Sequence, residues 1–78
     1  MDKNIFLYSK ADVIRWVKNN KHEVFEYARH YGGSFLYSLT VALLNADHNN
    51  TVKIVDTWYK EYSRLFEMKI IKEKESEK

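Results

Sequence analysis

His22, Glu26 and His30 recur at four-residue spacing, so on a helix they stack along one face. Two such side chains can chelate a divalent ion. These lie on the polar side of their segment, however. One helix face supplies neither a fourth ligand nor the outer hydrogen bonds that hold ligating imidazoles in place. A solvated face is the better reading, and no metal or cofactor is expected. Asp47 and His48 adjoin and suggest acid–base work, but nothing nearby offers a nucleophile with an orienting base. Gly32, Gly33 and Ser34 precede an apolar run, yet they match neither the phosphate-binding loop nor the dinucleotide pattern, which need more glycines at fixed spacing. No residue commits the chain to a reaction.

The same residues read well as structural punctuation. Ser9 with Asp12 three positions on forms a capping pattern and predicts the start of a helix. From there Val13, Ile14, Trp16, Val17, Val24, Phe25, Tyr27, Ala28 and Tyr31 share one side at about 100° per residue. Asn20 and Lys21 interrupt the stripe, but its phase continues beyond them. One helix over residues 10–31 is therefore expected, with a kink at Asn20 as the alternative. Gly32 and Gly33 end it, since a glycine past the last periodic residue accepts the left-handed conformation freely. Ser34 is then the expected cap of a second helix, over residues 35–46. That helix is apolar nearly all round, the pattern of a buried central element. Asp47 should cap a third helix by accepting from the backbone N–H of Asn49 or Asn50, with Asn50 reaching back. The fold class expected is all-α: a compact three-helix domain (residues 9–71) with its second helix central. A short N-terminal arm (1–8) and a disordered charged tail (72–78) flank it.

Composition narrows the function classes. The chain has 78 residues, without cysteine or proline and with two glycines, which suits long helices with short connections. The absence of thiols leans toward a reducing, cytoplasmic setting. No apolar run reaches the length of a membrane span, and the opening MDKNIFLYSK is too short and polar-flanked to read as a signal peptide. Net charge is +2 from 13 basic and 11 acidic residues, neither a basic footprint for nucleic acid nor an acidic mimic of it.

Aromatic residues make up 15% of the chain, and such side chains fill cores and anchor interfaces. Trp16, Tyr27, Tyr37, Trp58 and Tyr62 are the candidate contacts to a protein partner. The apolar surplus of the second helix predicts that a second subunit covers it, in a symmetric homodimer. The alternative is a DNA-binding regulator that uses Arg15, Lys18 and Lys21 with Lys53, Lys60 and Arg64, the third helix acting as recognition helix. Asp56, Glu61 and Glu67 interleave with those cations and would repel phosphate.

One further pattern runs through residues 32–62: Gly33-Ser34-Phe35, Leu39, Ala42, then Ala46-Asp47-x-x-Asn50, followed by Trp58 and Tyr62. It resembles a group of small phage- and prophage-encoded proteins with a G-G-x-F-x-x-x-L-x-x-A-x-x-x-A-D-x-x-N signature. The resemblance implies a phage-derived context and no known enzyme activity. It also suggests a binder that redirects or blocks a host machine, a defence complex such as a CRISPR effector included. Members often carry Phe-Pro-Glu where this chain has Trp58-Tyr59-Lys60, which implies a straighter third helix here.

Overall fold

A computed structural model describes residues 7–76, and among these every regular element is helical. The all-α expectation holds, but among the described residues five helices replace three: α1 (Lys10–Asn19), α2 (Lys21–Tyr31), α3 (Gly33–Leu44), α4 (His48–Thr57) and α5 (Tyr59–Ser76). The radius of gyration is 12.3 Å, close to the value of about 11.5 Å that compact chains of this length adopt. Most of the N-terminal arm, residues 1–6, lies outside the described residues. Leu7 is exposed, and Tyr8 packs on α5, its ring 5.0 Å edge-on from Phe66 and its hydroxyl donating to Glu67 at 2.6 Å.

Local signals set the helix starts. The Ser9 hydroxyl accepts from the Asp12 N–H at 3.2 Å, and the Asp12 carboxylate accepts from the Ser9 N–H at 2.9 Å. That reciprocal bond satisfies two donors which a helix N-terminus otherwise leaves open, and the Ser9 N–H holds the Asp12 carboxyl below its usual range. Asp47 caps α4 by accepting from the Asn50 N–H at 2.8 Å. This bond runs one way, without the return from the Asn50 side chain that a full box would add. Asp47→Ala is expected to cost about 0.5–2 kcal/mol, read as a lower melting temperature; an unchanged one would contradict the cap.

The first predicted helix breaks at Asn20, whose backbone leaves the helical region at φ −135°, ψ 48°. Its side-chain amide donates to the Trp16 carbonyl at 3.2 Å, alongside its own backbone N–H at 2.9 Å. Asparagine competes with the helix ladder in this way. The third predicted helix is also bent, at Trp58 (φ −110°, ψ 36°), where a straighter run was expected. There the indole packs edge-on against Phe35 of α3, 4.9 Å between ring centroids. α5 then continues to Ser76, so residues 72–76 of the expected disordered tail are helical. A Lys69–Glu73 pair at 2.9 Å, one turn apart, supports that end of the helix.

The two glycines divide their labour differently from the sequence expectation. Gly32 is right-handed (φ −99°, ψ −13°) and donates its N–H to Ala28. A Cβ there would meet the Ala28 carbonyl and the Leu36 side chain at 2.8 Å. Gly33 is the residue in the left-handed region, at φ +76° with open space around it. Because the turn is this tight, α3 begins at Gly33 and Ser34 lies inside the helix rather than capping it.

Val13, Trp16 and Val17 of α1, Val24 and Ala28 of α2, Leu36 and Leu43 of α3, Val55 of α4, and Tyr62 and Leu65 of α5 form the core. The bends at Asn20 and Trp58 let α1, α2, α4 and α5 wrap one another, with α1 against α4 and α5, and α2 against α5. α3 packs chiefly on α2 and more lightly on α4, and it reaches α5 through the contact of Thr40 with Tyr62, which covers its inner side. Only Leu36, Thr40 and Leu43 of α3 are buried. This overturns the expectation of a central second helix. Its apolar surplus faces outward.

Candidate protein-binding surface

The candidate chemistry of the sequence does not assemble. Glu26 is taken up by Arg29 at 2.7 Å, with His30 4.0 Å away, and the guanidinium holds the Glu26 carboxyl below its usual range. Among the described residues no group of three His, Cys, Asp or Glu side chains is placed to hold a metal ion. Asp47 is committed to its cap, and His48 is exposed in the first turn of α4.

Two of the five proposed aromatic contacts are core residues. Trp16 is 4% exposed and Tyr62 is 0% exposed. The Trp16 indole N–H donates to Glu23 at 2.8 Å, and its ring lies 5.9 Å from Tyr27 and 5.5 Å from Phe66. The Tyr62 hydroxyl lies 2.8 Å from the Thr40 hydroxyl, and burial pushes its ionisation up to about 12. Each places its polar tip on an internal partner, as buried Trp and Tyr must. Neither is available to another protein. Tyr27 and Trp58 are half-buried, and Tyr37 is exposed.

The basic set is dispersed. Lys21 donates to the Ala46 carbonyl at 2.6 Å, tying the start of α2 to the α3–α4 connection. Arg15 pairs with Asp12 at 3.1 Å. Lys53 lies on α4, while Lys60 and Arg64 lie on α5 beyond the bend at Trp58. The continuous recognition helix that the DNA-binding reading required is therefore two shorter helices. Lys18, Lys53, Lys60 and Arg64 remain exposed but share no single helix.

What the structure does bring together is the outer side of α3. Its inner residues Leu36, Thr40 and Leu43 recur at spacings of four and three, which turns Phe35, Tyr37 and Val41 away from the core. Phe35 is 56% exposed, and Tyr37 and Val41 are each 39% exposed. Ser34, Ser38 and Ala42 lie between them, also exposed. The half-buried Phe25 and Trp58 rings border the face, 5.3 Å from Tyr37 and 4.9 Å from Phe35. Sequence reasoning passed over Phe35 and Val41 as contacts. The spacing of Leu36, Thr40 and Leu43 marks the inner stripe, and projecting from it would have placed both outside. Tyr31, 46% exposed, is a further large apolar residue missed. It lines a shallow depression with Glu26, Tyr27, His30 and Lys72.

The fold and this surface define a small all-α domain with one uncharged, aromatic-edged helix face. No protein-family model, curated protein or solved structure matches the chain. Among the described residues no helix is long and apolar enough to cross a membrane.

Proposed function

We propose that this chain is a non-enzymatic protein-binding module of phage origin. It acts as a symmetric homodimer in the cytoplasm of an infected or lysogenic bacterial host and regulates or inhibits a host complex, an anti-defence role such as CRISPR inhibition included. The observation that supports this most is the outer side of α3, where Phe35, Tyr37 and Val41 stand exposed without a charged residue among them. Apolar patches of that kind mark interaction sites. The resemblance in residues 32–62 supplies the phage context. The DNA-binding reading has less support: Lys21 is engaged with a backbone carbonyl, and the remaining cations are divided between helices.

A tagged pull-down from nuclease-treated host lysate tests the reading. One host protein should be recovered at a fixed stoichiometry and should survive washing from low to high salt. An aromatic interface changes little with salt, whereas phosphate contacts weaken by orders of magnitude. Recovery of partners from an untreated lysate that nuclease treatment abolishes would overturn the reading.

A further inference from the structure

We propose that a second copy of this chain covers the outer face of α3, the two α3 helices packing antiparallel about a two-fold axis near Ser38. This rests on the proposed reading of that face as a protein-contact surface and assigns it to the seam of the homodimer, so a host protein meets the dimer on its other faces.

Charge selects the occupant. In a two-fold interface, groups near the axis meet their own copies, so any charge there faces its like. α3 carries no Asp, Glu, Lys, Arg or His, and the uncharged stretch extends from Tyr31 to Ala46. Each of the other four described helices puts charge on its exposed side: Arg15 on α1, Arg29 on α2, Lys53 on α4 and Lys60 on α5. α3 alone among them can face itself without repulsion. An antiparallel pair also sets the N-terminus of each helix beside the C-terminus of the other, which favours the two dipoles.

Shape agrees with charge. Projected along the helix, Phe35 and Ala42 fall on one edge of the outer face, and Tyr37 and Val41 fall on the other. An antiparallel two-fold brings like edges together. Phe35 then lies over Ala42 of the second copy, and Tyr37 lies against Val41 of the second copy, so large side chains meet smaller ones. Ser34 and Ser38 along the middle leave room for the backbones to approach.

Area sets the scale of the interface. A standard interface buries about 800 Å² per partner, and the accessible surface here totals 5303 Å². α3 is about 18 Å long, so its whole outer face is needed, with the bordering Phe25 and Trp58 rings. The dimer sits at the small end of stable interfaces, and because area alone does not fix affinity, a micromolar dissociation constant is the expected result of the measurement below.

The chain lacks cysteine, so Ser38→Cys introduces a sole thiol beside the proposed axis. Packed helix axes pass about 8–10 Å apart, which brings facing Cα atoms into disulfide range. Under mild oxidation at tens of micromolar, most of the Ser38→Cys chain should run as a linked dimer, while Lys18→Cys on exposed α1 stays mostly unlinked. Val41→Glu should raise the dissociation constant at least tenfold, with its helical circular dichroism unchanged. Light scattering on the unsubstituted chain gives the mass in parallel. A dimeric mass with Ser38→Cys linking no better than Lys18→Cys would overturn the α3 seam and leave the protein-binding reading standing. A monomeric mass would overturn the seam and the proposed homodimer together, and the pull-down would then decide only whether a host protein binds.

Discussion

Trp16→Ala is expected to remove about 3–5 kcal/mol of unfolding free energy, a large part of the roughly 5–15 kcal/mol that holds a domain together. The indole is 4% exposed, touches Tyr27 and Phe66, and binds Glu23 across the break at Asn20. It thereby ties α1 to α2 where the helix ladder is interrupted, and truncation leaves both a cavity and a free Glu23. For a domain of this size the melting temperature should fall by at least about 12 °C, at about 4–8 °C per kcal/mol. Trp16→Phe keeps the ring packing and loses only the N–H, so it should cost markedly less. A drop below about 5 °C for Trp16→Ala would show the side chain to be peripheral.

The second large effect concerns Tyr62 and Thr40. The Thr40 hydroxyl donates to the Leu36 carbonyl at 2.8 Å and lies 2.8 Å from the Tyr62 hydroxyl. Threonine has one proton to give, so Tyr62 must be the donor to Thr40. The two partners are therefore not equivalent. Tyr62→Phe leaves Thr40 with its carbonyl bond and should cost about 1 kcal/mol. Thr40→Val strands a buried phenol and should cost about 1–3 kcal/mol. Equal losses, or a larger one for Tyr62→Phe, would contradict this direction.

The phenols of Tyr62 and Tyr8 predict alkaline sensitivity. Burial first, and for Tyr8 the bond to Glu67 as well, raises the ionisation of Tyr62 and Tyr8 from 10.0 to about 12. Folding thus favours the neutral phenols. Their contribution is complete below pH 10 and is lost as pH rises through about 12. The melting temperature should decline over that interval, and less steeply in Tyr62→Phe. A flat profile would refute the shift.

What the chain order revealed and what it hid follow from the range of each interaction. Ser9 with Asp12, and Asp47 with Asn50, are contacts across three residues, so their spacing alone announces them. The all-α class is equally local, since periodicity and the scarcity of turn residues require no knowledge of neighbours. The break at Asn20 was legible as an alternative, because a polar pair interrupts the stripe there. The bend at Trp58 was not, since its indole docks on Phe35 of a different helix while the local phase runs on unbroken. Periodicity also reported correctly that residues 35–46 are apolar nearly all round. It could not say how many neighbours the folded chain would supply, and bent helices that wrap one another leave α3 covered on one side only. The same gap separated Trp16 and Tyr62 from Tyr37: all are amphipathic aromatics, and which become core depends on packing. Lys21 looked like a free cation until the fold brought the Ala46 carbonyl to it.

Sedimentation equilibrium at tens of micromolar, with the native chain beside Val41→Glu, tests most directly the claim that a second copy of the chain covers the outer face of α3. The account predicts a native dimer in micromolar exchange and a folded, monomeric Val41→Glu. A native chain that stays monomeric, or a Val41→Glu variant that associates as tightly as the native one, would contradict it.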